Sequence, residues 1–528
     1  MMGRTVQRIL LGAALALMIG HLVVFVVYTV SLVKFPFDYD QGEGFELNDT
    51  VLFSQGQWPY RDNAVYPFYA SNYPPLYHVL LVPFVWLFGP AYWYGRLFGF
   101  AASLITAGAI AWAVQRETRH QLAALIAGLA YLASNYVYHI GPLFRQHISM
   151  VMFETLGIVV IASLSDTDPP GKRRRTLIIG LLLLLAAGYT KQLAIVSMAA
   201  AFVFLLLRGV RRAFLWGAIF AAVGGAIFLL INVSTHGQWW LNIITANVNQ
   251  YIMSQFVGLL RQFTGVHGAL LILAALMVIY ELYFDRLSIY AIWFAAAGVD
   301  GVLAGKWGAG DSYFTTMIAA MCILAGIFVG RTLNGSWRFP AWIADRFKLG
   351  TFATAPSRVL VCLPFLLYGL AVIHLPLDVP AFAAIASVLN LHSNRLSNNM
   401  YDSAGWTPGY ATIGQTPTQT DIDNGWKIVA AVRDTPGPLL SEEAAFSFRA
   451  GKKEVVTNPT QLLNLYQNGH YDPSALVKML QDRAFGAVIF RAQFYPPPVL
   501  DAVKDAYQPA EMIPMNGYTY TIWLPSAP

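Results

Sequence analysis

The chain has 528 residues, 56% of them hydrophobic and only 12% charged, against about 25% charged in an ordinary soluble domain, which excludes both a large soluble globule and a disordered chain. The net charge of +6 is not a nucleic-acid footprint, because the cations sit in short clusters between apolar runs, where they orient a membrane protein. Cys322 and Cys362 are the only cysteines, and both fall in apolar runs, so there is no disulfide framework and no thiolate metal cluster.

The first apolar run, 9–33, follows Arg4 and Arg8; it is too long for a signal-peptide core and reads as a retained helix. The loop after it, 34–91, opens with Phe37-Asp38-Tyr39-Asp40-Gln41-Gly42-Glu43-Gly44. A short helix over 46–55 is expected to lie along the membrane surface. Next come Gly56-Gln57-Trp58-Pro59-Tyr60-Arg61-Asp62 and Asn72-Tyr73-Pro74-Pro75-Leu76-Tyr77, whose aromatics suit the headgroup level. The stretch 73–88 is apolar but carries three prolines and reads as re-entrant or interfacial. Further spans are predicted at 92–114, 121–139, 148–164, 176–190, 193–207, 213–233, 266–281, 287–304, 313–330 and 356–375, which makes eleven.

Charge fixes the orientation. With the N-terminus in the cytoplasm, seventeen Lys and Arg fall inside, from Arg4 to Arg358, and seven outside (Lys34, Arg61, Arg96, Arg145, Lys191, Arg261, Lys306). Counting 73–88 as a crossing would turn the Lys172 to Arg175 cluster outward, against the positive-inside tendency. Residues 380–528 contain no span. There Asp472-Pro473 predicts a helix start running to about Arg483, 487–490 and 518–524 read as strands, and 442–456 reads as loop and strand. The expected fold is therefore mainly α, a polytopic membrane domain over 1–376 with about eleven helices, followed by a soluble extracytoplasmic α/β domain over 380–528.

This topology gathers the unusual polar residues at the outer face. Asp38, Asp40 and Glu43 crowd a short glycine-containing stretch, where like charges raise one another's pKa and can supply a base or a metal ligand. Lys191, in Tyr189-Thr190-Lys191-Gln192, is hemmed by apolar sequence on both sides, and ionisable groups at membrane depth are usually functional. Arg145, in Gly141-Pro142-Leu143-Phe144-Arg145-Gln146-His147, and Lys306, in Gly305-Lys306-Trp307-Gly308, are the other outer cations suited to a phosphate. Glu154 and Asp300 lie within spans near their outer ends. There is no Walker loop, Rossmann fingerprint or HExxH, and Asp38-Tyr39-Asp40 is a weak Asp-x-Asp metal pattern.

The acidic motif after the first helix, the short helix, the Gly-Gln-x-x-Tyr turn at Gly56 to Tyr60 and Tyr73-Pro74-Pro75-Leu76 together resemble the GT-C glycosyltransferases, in particular the family 39-like group of protein O-mannosyltransferases and bacterial aminoarabinose transferases. The resemblance covers about 9–375. It implies transfer of a sugar from a polyprenyl-phosphate donor to an acceptor hydroxyl on a glycan, lipid or protein, on the extracytoplasmic face of a cell membrane, with a prokaryotic cytoplasmic membrane expected. By position, the Asp38/Asp40/Glu43 cluster resembles the family's base-supplying motif, and Thr190-Lys191-Gln192 its lysine near the lipid phosphate. Arg145-Gln146-His147 stands where the family often has Arg-x-Asp, so His147 replaces an acid, for which Glu154 could compensate. Asp311, Tyr313 and the neighbouring glycines resemble a late aromatic motif.

Displacing a phosphate from an anomeric carbon needs cations for the leaving anion and a carboxylate for the acceptor proton, but no acid. A single base opposite the leaving group implies inversion. The expected set is therefore Asp40 as base, with Asp38 and Glu43 beside it; Lys191, Arg145, Lys306 and His147 on the donor phosphate; and Glu154, Tyr73, Tyr77, Asp311 and Tyr313 lining the cavity. The sequence requires no cofactor; a divalent Mg or Mn ion, if present, would sit on Asp40 and Glu43. A lipid-carrier or solute transporter using the same outer cavity is the alternative, disfavoured because such folds carry repeats and midplane sites.

Overall fold

Each predicted span falls on helix in the computed structural model, which describes residues 2–165, 167–339, 355–390, 400–402, 405–407 and 415–527. In chain order the helices of the bundle are α1 (Met2–Lys34), α2 (Gly42–Ser54), α3 (Leu76–Phe88), α4 (Trp93–Thr118), α5 (Gln121–Ala133), α6 (Asn135–Ile140), α7 (His147–Ala162), α8 (Pro170–Thr190), α9 (Ile195–Arg208), α10 (Val210–Ser234), the single turn α11 (Gln238–Trp240), α12 (Met253–Phe284), α13 (Ile289–Val302), α14 (Thr315–Asn334), α15 (Ala355–Leu360), α16 (Leu363–Ala371) and α17 (Pro380–Val388). Among the described residues, five helical segments are long and apolar enough to cross a membrane: Thr5–Lys34, Trp93–Thr118, Val210–Ser234, Met253–Phe284 and Asp311–Asn334. Shorter apolar helices, including α3, α5 and α7, pack among them. Small residues allow the closest approach: a Cβ on Gly157 of α7 would stand 3.0 Å from the carbonyl of Gly180 on α8, the kind of contact that lets helices associate without a hydrophobic drive.

Several elements differ from the sequence reading. The segment 121–139 breaks at Ser134, whose backbone is extended and whose hydroxyl bonds His267 Nε2 of α12 at 2.9 Å. The segment 356–375 divides before Leu363, where Pro364 sits in the first turn of α16. Helix α12 starts at Met253, carrying Arg261 on an exposed face. Helix α2 starts at Gly42 and is largely buried, with Glu43, Glu46 and Asp49 all facing inward. The stretch 73–88 forms α3 with Pro83 inside it and Trp86 and Leu87 exposed. Two cations of the inner set, Arg346 and Lys348, lie outside the described residues.

The C-terminal part contains a hairpin of β1 (Met400–Asp402) and β2 (Gly405–Thr407), then α18 (Gln419–Arg433), β3 (Leu439–Ser441), α19 (Ala444–Arg449), α20 (Pro459–Gln467), α21 (Ser474–Gln481), β4 (Ala487–Phe490), α22 (Pro497–Ala506), β5 (Tyr507–Met515) and β6 (Tyr518–Pro525). The sheet order is β3-β4-β6-β5, with β3 parallel to β4 and the other pairs antiparallel. Alternation along the strands sends Leu439, Ala487 and Ile489 toward the bundle core and Leu440, Val488 and Phe490 toward a second core. The strand expected at 487–490 is present, and that at 518–524 extends to Pro525. The expected helix after Asp472 begins at Ser474, whose amide the Asp472 carboxylate accepts at 3.0 Å. Within 442–456 a helix, α19, takes up 444–449, and the expected loop follows it to a β-bridge between Val456 and Phe68. The Ala445 amide of α19 donates to Asp38 at 3.1 Å, and this cap lies 407 residues away in the chain, so local sequence cannot reveal it.

The domain sits directly on the first loop. Phe37 meets Trp426 edge-on at 5.4 Å and Phe446 at a tilt at 5.7 Å, and Asn516 Nδ2 donates to the Tyr39 carbonyl at 2.8 Å. Phe68 donates its amide to Val455 O at 2.9 Å and accepts Thr457 N at 3.2 Å. The loop 34–91 and the domain therefore lie at the same end of the bundle.

Candidate active site

Under this domain, the ends of α1, α4, α7, α8 and α14 converge with α2 and bring most of the expected polar residues together. Asp40 Oδ1 accepts the Gly42 amide at 2.8 Å and Arg145 Nη1 at 3.0 Å. Both side chains keep part of their surface, 18% for Asp40 and 25% for Arg145, and among the described residues Asp40 Oδ2 has no partner. Lys191 lies in the extended joint after α8. Its ammonium stands 2.8 Å from His147 Nδ1 and over the rings of Tyr73 (5.1 Å) and Tyr313 (5.2 Å). Burial and the nearby Arg145 charge draw the Lys191 ammonium down to about 7, opposed by Glu46 and Asp300.

The three acids of the opening motif have separate environments. Asp38 is buried, accepts Tyr92 Oη at 2.7 Å and caps α19. Burial, with Glu443 close by, pushes its carboxyl well above the ordinary range. Glu43 is also buried. It accepts Arg96 Nε at 2.9 Å and Nη2 at 2.6 Å, the Tyr39 amide at 2.9 Å and the Phe144 amide at 2.7 Å. Both its oxygens are thus committed, which corrects the expectation that it works beside Asp40 or shares a divalent ion with it. Among the described residues no three His, Cys, Asp or Glu side chains converge as metal ligands. Glu43, with both oxygens already accepting Arg96 and two backbone amides, has none left for Mg or Mn in this arrangement.

The outlying candidates divide. Tyr73 and Tyr313 face Lys191. Tyr77 is fully buried, its ring 5.8 Å from Phe144, in the wall behind Glu43 rather than in the cavity. Asp311 faces His139 Nδ1 at 3.6 Å. Glu154 accepts Ser197 Oγ at 2.7 Å and Thr316 Oγ1 at 2.8 Å, and Ser197 accepts Trp293 Nε1 at 2.7 Å. Both oxygens of Glu154 are therefore held inside the bundle, which corrects its placement as a substitute second acid. Lys306 is partly exposed. Its backbone is tied down: Gln255 Nε2 donates to its carbonyl at 2.8 Å, and its electrostatic neighbour is Asp300.

The sequence reading missed Glu46, Asp49 and His78. Glu46 is fully buried 3.3 Å from His78 Nε2. Burial raises its pKa, opposed first by Arg145 and also by Lys191, so it lies in the field of both cations. Asp49 accepts Ser71 Oγ at 2.5 Å, and burial pushes it up to about 8. The available signal was spacing: Glu43, Glu46 and Asp49 recur every third residue, one face of a helix.

A family model described as dolichyl-phosphate-mannose-protein mannosyltransferase matches residues 72–239, the segment that holds Tyr73, Arg145, His147 and Lys191. No curated protein matches the chain. Among solved structures, ArnT from Cupriavidus metallidurans in the apo state is similar at 14% identity and a TM-score of 0.58, covering 95% of this chain and 98% of that one. The same protein bound to undecaprenyl phosphate is similar at 14% identity and a TM-score of 0.57, covering 96% and 97%. The likeness runs through the C-terminal domain as well as the bundle and gives the chain the GT-C fold of ArnT, while its segment 72–239 is similar to the mannosyltransferase family.

Proposed function

We propose that the chain transfers a sugar from a polyprenyl-phosphate-linked donor to an acceptor hydroxyl, with inversion, at the extracytoplasmic face of the membrane. The observation that carries this reading is the Asp40–Arg145–Lys191 arrangement: a half-open carboxylate paired with Arg145, whose charge in turn acts on the buried Lys191, at one end of the helical bundle. ArnT, of the same fold, is described bound to undecaprenyl phosphate, which agrees with such a donor.

Asp40 is the base. Arg145 holds Oδ1, so Oδ2 is the oxygen that takes the acceptor proton while the hydroxyl oxygen attacks the anomeric carbon. Lys191, protonated, stabilises the departing phosphate, and Arg145 can clamp the same anion. The donor phosphate competes with Asp40 for Arg145, so its binding frees Asp40 Oδ1 as the leaving group gains its counter-charge. Tyr73 and Tyr313 hold Lys191 between their rings. Glu43 and Arg96 position the loop and do not react, and Asp38 anchors the domain. The opposite end of the bundle carries the Lys172 to Arg175 cluster, consistent with that end being cytoplasmic.

The test is transfer itself: purified full-length protein with a radiolabelled polyprenyl-phosphate sugar and a membrane extract as acceptor source. Appearance of label in a new product, with release of the lipid phosphate, supports the reading. Movement of intact donor across vesicle membranes without cleavage would make the chain a transporter.

A further inference from the structure

The other end of the bundle holds a charged cavity, of about 650 Å³, between the ends of α8, α9, α10, α12 and α14. Helices α4, α7, α8, α9, α13 and α14 each have one end here and the other near Lys191, so the two sites are on opposite faces. Six arginines line it: Arg173, Arg208, Arg211, Arg212, Arg286 and Arg331. Glu117, Glu281 and Asp285 are the acids, and two of these are engaged: Asp285 pairs with Arg331 at 3.0 Å, and Glu281 accepts the Ser288 amide at 2.7 Å. Arg211, Arg212 and Arg286 are exposed and make no ion pair among the described residues. Basic pockets between membrane helices can hold anionic lipid head groups, and here the arginines converge on one concavity that also has apolar walls from Phe204, Leu205, Ile289 and Ile327.

We propose that this cavity binds the phosphate of an anionic phospholipid. Guanidinium groups match phosphate oxygens in pairs, and several around one cavity give a site for a single head group. A lipid rather than a free anion is indicated by where the cavity opens. Val210, a lining residue at the start of α10, is 56% exposed, and Phe214 and Leu215 one turn further are 70% and 59% exposed. Only 6% of the most apolar part of α10 is buried, so an acyl chain has an uncovered helix to lie along once its head group is held.

The experiment uses the full-length protein, freed of lipid in detergent and titrated separately with dioctanoyl-phosphatidylglycerol, dioctanoyl-phosphatidylcholine and inorganic phosphate. Thermal unfolding and native mass spectrometry are the readouts. Phosphatidylglycerol should bind saturably, one per chain, at a concentration at least tenfold lower than phosphatidylcholine, and inorganic phosphate should raise the melting temperature far less. The triple variant Arg211→Gln, Arg212→Gln, Arg286→Gln should lose the tight adduct at least tenfold, and Arg261→Gln on the distant end of α12 should keep it. The wild-type stoichiometry and lipid preference stand even if the triple variant does not fold. Non-saturating adducts, equal binding of both lipids, equal stabilisation by inorganic phosphate, or an unchanged affinity in a folded triple variant would overturn the proposal.

Discussion

The guanidinium of Arg145 lies directly over the bare Cα of Gly42: a Cβ there would stand 0.9 Å from Nη1. The Asp40–Arg145 pair therefore depends on that glycine. Gly42→Ala should displace Arg145 and lower transfer to the level of Arg145→Gln. Gly42 is the first residue of α2, and alanine is the better helix former by up to about 1 kcal/mol, so thermal stability should hold or rise. Loss of activity with an unchanged melting temperature is the expected result; full activity would show that the pair is dispensable.

The proposed base gives a contrast between neighbours. Replacing a general base costs on the order of 10²–10⁴ in rate, so Asp40→Asn should bring turnover near background while donor binding persists. Asp38→Asn should be mild. Asparagine keeps an acceptor for Tyr92 and Ala445, and it mimics the neutral acid that burial already favours. A dead Asp38→Asn with an active Asp40→Asn would reverse the roles.

Lys191 sets a pH dependence. With its pKa drawn down to about 7, the free protein carries the ammonium below that pH and loses it above. A donor phosphate binds the charged form, so donor KM should rise as pH increases from about 6 to 8. Lys191→Met, which removes the charge and keeps the apolar stem, should raise donor KM and flatten that rise. A wild-type KM that is level across the range would refute the assignment.

Glu43 and Arg96 are both fully buried and joined by two short contacts. Removing one partner leaves an uncompensated buried charge, a loss of about 3–5 kcal/mol. Arg96→Leu should therefore lower the unfolding temperature sharply at every substrate concentration. A merely kinetic defect in a protein of normal stability would instead place Arg96 in the reaction.

The proposed orientation predicts labelling from outside. Cysteines introduced at Asp62 and Asp472, both exposed, should react with an impermeant maleimide in intact cells; Cys322 and Cys362 are buried and give little background. Reaction only after permeabilisation would invert the topology.

Hydropathy and charge clusters by themselves determined the helical membrane architecture, the long first loop and the change of character near residue 380, because transfer free energy depends on composition along a short window. The strand at 487–490 was legible for the same local reason, as was the candidacy of Asp40, Arg145 and Lys191, each conspicuous against its surroundings. The division of labour among the acids was not. Asp38, Asp40 and Glu43 look equivalent in sequence; Arg96 from α4 with Phe144 from the α6–α7 loop makes Glu43 a structural ion pair, Ala445 from the C-terminal domain makes Asp38 a cap, and Arg145 from the α6–α7 loop leaves Asp40 a half-open carboxylate. Glu154 looked like a functional acid until two hydroxyls from other helices occupied it. The inward turn of Glu46 and Asp49 likewise depends on α3 and the domain covering α2. A hydrogen bond or ion pair between distant segments leaves no trace in either segment alone, so only the tertiary structure decided which charges are satisfied and which remain open to a substrate.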